Sequence, residues 1–162
     1  MIDVKRAITE MASHSVDFVV IGEVALSLYS SAYVTYDIDF SFSLHRENLK
    51  RICEALAPFS PRLRGFPRDL PFIWDERTLL NGTAFTLETD IGEIDLLAEV
   101  AGIGVYEEVL NESVKFDLFG FEVNVLSIDG LIKAKTAAGR EKDNPGLRIL
   151  KAVREASLDE EE

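Results

Sequence analysis

The sequence predicts an α+β fold built on a mixed β-sheet, and three observations carry that reading. A short apolar run, Phe18-Val19-Val20-Ile21, ends at Gly22, as a buried strand ends at a turn. Asp37-Ile38-Asp39-Phe40-Ser41-Phe42 alternates strictly between polar and apolar residues, which describes a strand with one buried face. Two further pairs of strand-like runs flank turn residues, 83–89 with 93–99 around Asp90-Ile91-Gly92, and 114–118 with 122–126 around Phe119-Gly120. Helical crossovers in the first half and hairpins in the second combine parallel with antiparallel pairing.

The elements follow in order. Val4, Ile8 and Met11 recur at helical spacing, so residues 4–13 form an amphipathic helix. Residues 24–29 are apolar nearly all round and read as a short buried helix. Leu49, Ile52, Cys53 and Leu56 mark the next helix. Residues 58–71 hold four of the five prolines together with Arg62, Arg64 and Arg68, and are predicted as a loop. Short helices are expected over 76–80 and 106–110. Ser127 caps a helix reaching about Ala138, with Asp129 in its first turn, and Asn144-Pro145 reads as a cap followed by proline at the first position of a last helix. No internal linker is visible, so residues 1–157 are expected to form one domain and residues 158–162, ending Asp159-Glu160-Glu161-Glu162, a frayed acidic tail.

A chain of 162 residues can bury a self-sufficient core. Its 17 basic residues against 29 acidic ones give a net charge of −12, which argues against DNA, RNA or an anionic membrane held by general basicity. No apolar run approaches the roughly 20 residues of a membrane span, and no signal-peptide pattern opens the chain. Cys53 is the one cysteine, which fits a reducing, cytoplasmic setting.

Chemistry-bearing residues concentrate in five places. Asp37 and Asp39 leave the same face of their strand, roughly 7 Å apart along the backbone. Two aligned carboxylates raise each other's pKa, and a divalent cation, magnesium or manganese, removes that penalty. Asp95, flanked by inward-facing Ile94 and Leu96, must point away from the core, where a third carboxylate could complete a two-metal clamp; Glu93 shares its face. Gly22 precedes a helix, where backbone N–H groups can meet phosphates. Lys135 falls on the apolar stripe of Ile128, Leu131 and Ile132, an inward position that either snorkels to water or meets an anion. The Arg62, Arg64, Arg68 loop with Phe66, Phe72 and Trp74 could hold RNA or a nucleotide by charge and stacking.

Taken together, Gly22, Ala25-Leu26, Thr35-Tyr36-Asp37-Ile38-Asp39 and Gly92-Glu93-Ile94-Asp95 resemble the polymerase-β-like nucleotidyltransferases. The stretch Leu126-Ser127-Ile128-Asp129-Gly130-Leu131-Ile132, Lys135, Ala138-Gly139-Arg140 and Lys142-Asp143 resembles their abortive-infection, toxin–antitoxin type. The resemblance covers residues 15–150 and implies the mixed sheet of the nucleotidyltransferase fold with helices packed on it. It implies a magnesium-dependent transfer of a nucleoside monophosphate from a nucleoside triphosphate to a protein, RNA or small-molecule acceptor. Asp37, Asp39 and Asp95 would be the catalytic metal ligands, and Gly22, Glu23, Lys135 and Arg140 would lie on the nucleotide. Two positions depart from the pattern: Glu23 stands where Gly or Ser is common, and Tyr33 stands where an Arg is common. They support the alternative of a catalytically degenerate binding or regulatory module. So short a chain leaves little room for an acceptor domain, which is compatible with a protein partner or a homodimer.

Overall fold

Each apolar period of the sequence becomes a packed face in the computed structural model, which describes residues 1–30 and 35–161. The first helix, α1 (Val4–Ser13), is capped by Asp3, whose carboxylate accepts from the Arg6 N–H at 3.0 Å, and it buries Ala7, Ile8 and Met11. Strand β1 (Phe18–Ile21) is buried along its whole length, as a run without polar residues must be. It leads into α2 (Gly22–Tyr29), then β2 (Asp37–Phe42) and α3 (Arg46–Leu56). After the short strand β3 (Arg62–Leu63) and α4 (Glu76–Leu80) come the hairpin β4 (Ala84–Thr89) and β5 (Gly92–Leu97). A two-stranded ribbon, β6 (Glu99–Val100) and β7 (Gly104–Val105), precedes α5 (Tyr106–Asn111). The second hairpin is β8 (Ser113–Leu118) with β9 (Phe121–Leu126), and the chain closes with α6 (Ile128–Ala138) and α7 (Asn144–Glu161).

Seven strands form one sheet in the order β3-β4-β5-β2-β1-β9-β8. It is mixed, as predicted: β2 runs parallel to β5 and β1 parallel to β9, while the hairpins and the β1–β2 pair are antiparallel. Ile38, Phe40, Ile94 and Leu96 are fully buried on the core face of the two central strands. The polar residues between them therefore share the opposite face.

Several expectations are corrected. The loop over 58–71 contains β3, which pairs antiparallel with β4 (Arg62 opposite Glu88, Leu63 opposite Leu87); two residues are too few to show a period. Glu99 does not extend the first hairpin but belongs to the separate ribbon with Val105; the last bond of the hairpin runs from Ala98 N–H to the Thr83 carbonyl at 2.8 Å. Helix α2 begins at Gly22, directly after β1 and two residues before the expected start at Val24. Asn144 is already helical (φ −59°, ψ −42°), since a 3-10 turn at Glu141–Asp143 runs directly into α7. The helix continues through Glu161 into the segment expected as a tail, as its glutamates, good helix formers, allow. Among the described residues no helix is long and apolar enough to cross a membrane.

Candidate active site

The pairing of β2 with β5 places Asp39 directly opposite Asp95 and Asp37 opposite Glu93. Asp37, Asp39 and Asp95 each offer a carboxylate oxygen, and the three oxygens lie within 4.8 Å of one another. Asp95 points there because its neighbours Ile94 and Leu96 take the core face.

Gly22 stands against this cluster. A Cβ at that position would lie 2.0 Å from Asp39 Oδ2, and its φ of +68° is left-handed. Glycine is thus required twice, by the backbone and by the carboxylate pressed against it. Gly22→Ala is expected to cost about 2–3 kcal/mol from the strained φ and the displaced carboxylate, read as a lower urea midpoint. An unchanged midpoint would show that the loop and Asp39 can part freely. The α2 start carries no side-chain cap, so the N–H groups of its first turn lack that partner.

Burial pushes the Asp39 carboxyl up to about 8, helped by a hydrogen bond shared with Asp95 and by the charges of Asp95, Asp37 and Glu23. Asp95 Oδ1 is buried and has no hydrogen-bond partner among the described residues. A hard-oxygen cluster that holds a proton this tightly and leaves an oxygen unsatisfied fits magnesium or manganese.

A second charged group borders the first. Lys135 is 7% exposed, and its Nζ lies 2.6 Å from Glu23 Oε1 and 3.5 Å from Asp143 Oδ1. Asp143 is 3% exposed and accepts from Arg140 Nε at 2.7 Å. Burial alone would raise the Asp143 carboxyl, but the Arg140 hydrogen bond and the charges of Lys135 and Arg140 outweigh it and hold it below the usual range. Gly146 leaves room for the lysine, since a Cβ there would sit 3.2 Å from Lys135 Cε. The inward stripe of α6 therefore carries Lys135 to the cleft, where it meets protein carboxylates.

The cleft has a volume of about 680 Å3 and brings together Gly22, Glu23, Asp37, Asp39, Asp95, Lys135 and Arg140. All seven residues singled out by sequence thus share one cavity. Asp143 and Lys142 join them on its wall; the Lys142-Asp143 dipeptide was their signal. Tyr33 lies outside the described residues. The arginine loop is organised differently from the expected stacking platform. Arg62 donates to the carbonyls of Pro67 (3.0 Å) and Leu70 (3.1 Å) and lies over the rings of Phe66 and Phe72. Trp74 donates to the Cys53 carbonyl at 3.0 Å. These aromatics hold the loop itself together, while Arg64 reaches the active-site face, 2.8 Å from Glu93 Oε2 and 3.8 Å from Asp95 Oδ1.

This mixed sheet, with its carboxylates on two parallel neighbours beside a glycine-led helix, has the polymerase-β-like nucleotidyltransferase fold. Residues 83–161 match the family described as "Nucleotidyl transferase of unknown function (DUF2204)". Among solved structures, the lincosamide antibiotic adenylyltransferase LnuA, bound to lincomycin, superposes with a TM-score of 0.61 at 10% identity, over 94% of this chain and 98% of that one. The ANT(2")-Ia complex with adenylyl-2"-tobramycin gives 0.58 at 13% identity, over 97% and 95%. An antigenic nucleotidyltransferase-like protein from Paracoccidioides brasiliensis gives 0.57 at 14% identity, over 94% and 77%. At these identities the likeness is one of fold. Comparison with curated protein sequences finds no match.

Proposed function

We propose that the protein is a divalent-metal-dependent nucleotidyltransferase that moves a nucleoside monophosphate from a triphosphate to the hydroxyl of a protein, RNA or small-molecule acceptor. The observation that carries this reading is the convergence of Asp37, Asp39 and Asp95 within 4.8 Å beside the start of α2. Asp37 and Asp39 would hold the ion that accompanies the triphosphate, and Asp95 would share a second one. When bound, magnesium or manganese would neutralise phosphate charge and polarise the α-phosphate. The chain itself does the positioning, which is most of the work in phosphoryl transfer. The first-turn N–H groups of α2 meet phosphate oxygens. Lys135 and Arg140 supply positive charge on the same side of the cleft. The acceptor oxygen attacks the α-phosphorus, its proton passes to Asp95, and the bond to pyrophosphate breaks.

One observation favours a second reading. Glu23 already occupies Lys135 at 2.6 Å, as it would in a degenerate regulatory module of a toxin–antitoxin-like system. Incubation with each α-labelled triphosphate, magnesium and cell extract separates the two. Transfer of label to protein, RNA or a small molecule, abolished by Asp39→Asn, is expected. Absence of both transfer and calorimetric triphosphate binding would favour the degenerate module.

A further inference from the structure

We propose that Arg64 is the built-in counter-charge of Asp95, a positioning residue that a divalent ion must displace before it can occupy the Asp95 side of the carboxylate cluster. This rests on the reading of the cluster as a metal site. Arg64 follows β3 at the sheet edge, and its N–H is tied to the Thr86 carbonyl at 2.9 Å. Thr86 in turn pairs with Asp95 across β4 and β5. The backbone is therefore anchored, and the side chain spans one strand to reach β5.

There Nη2 donates to Glu93 Oε2 at 2.8 Å and stands 3.8 Å from Asp95 Oδ1. That same Oδ1 is the buried oxygen without a hydrogen-bond partner among the described residues. Its compensation is therefore a charge held just beyond hydrogen-bond reach. An ion bound to Oδ1 at about 2.1 Å would lie within about 6 Å of the guanidinium. Repulsion over that distance acts inside the Debye length of roughly 8 Å at physiological salt. Among the described residues Asp37 and Asp39 have no ion-pair partner, so the counter-charge they show stands on the β5 side of the cluster, at Asp95. The guard is movable, because the Arg64 and Glu93 side chains are 40% and 43% exposed and such pairs are weak.

Manganese titration, followed by the electron paramagnetic resonance of the free ion and by calorimetry, tests the assignment on the full chain. Arg64→Gln is expected to bind manganese about tenfold more tightly than wild type, and Arg64→Lys to stay nearer wild type. Arg68→Gln makes the same change in net charge on the same loop and should leave the affinity unchanged. Without metal, Arg64→Gln should melt lower than wild type, since Asp95 loses its counter-charge, yet gain more from manganese. Equal or weaker binding in Arg64→Gln, or equal tightening in Arg68→Gln, would overturn the role of Arg64. If wild type binds manganese and Asp39→Asn does not, that failure leaves the metal site standing. If no variant binds manganese, wild type included, both the site and its guard are overturned.

Discussion

Lys135→Met is expected to lower the melting temperature by about 10 °C. The lysine is 7% exposed and bridges Glu23 to Asp143, which is itself 3% exposed. Methionine keeps the apolar stem but leaves two acidic groups without their shared cation. Removing one partner of a buried pair typically costs about 3–5 kcal/mol. Arg140 still pairs with Asp143 and Glu23 is partly exposed, which favours the lower end. At roughly 2–4 °C per kcal/mol for a chain of this size, that gives the stated shift. Adding Glu23→Gln to the variant should recover part of the loss, because the stranded charge is then gone. Thermal denaturation followed by circular dichroism reads both. A Lys135→Met protein as stable as wild type would show that the pair is idle, and calorimetry on the same samples should show weakened triphosphate binding.

Asp39→Asn should act in the opposite direction, stabilising the metal-free protein while removing its response to metal. The Asp39 carboxyl titrates near 3.8 when unperturbed and is raised to about 8 in the fold by burial first and then by its acidic neighbours. The folded state thus holds a proton that the unfolded chain has released. The associated stability is fully present below about pH 4 and is lost as pH rises through about 8. At pH 8 the charged, crowded carboxylate then costs the apo fold on the order of a few kcal/mol. Asparagine has nearly the same shape and no charge to repel. It should raise the metal-free melting temperature by several degrees at pH 8, with the gain shrinking toward pH 4. Millimolar manganese should raise the wild-type melting temperature and leave Asp39→Asn unmoved. A variant that melts below wild type at pH 8 without metal would contradict the crowding of Asp37, Asp39 and Asp95.

Local periodicity was enough to place each carboxylate on a face. The alternation of Asp37-Ile38-Asp39-Phe40 and of Ile94-Asp95-Leu96 turned all three aspartates away from the core. The 3.6-residue period of α6 likewise turned Lys135 inward, and the caps and turns of both hairpins follow from residues adjacent in the chain. Which elements meet depends on pairings that no local pattern carries. Asp39 and Asp95 face one another because β2 and β5 run side by side in one particular register; a slip of one residue would send Asp95 into the core. Glu23, an uncompensated acid in the sequence, acquires its cation from a residue 112 positions away. Arg64 directly follows a two-residue edge strand too short to show a period, so its reach to Asp95 exists only once β3 has joined β4. The sequence thus determined the faces and the chemistry they carry, and the tertiary structure decided which charges neutralise one another, because backbone geometry acts between neighbours whereas charge pairing acts through space.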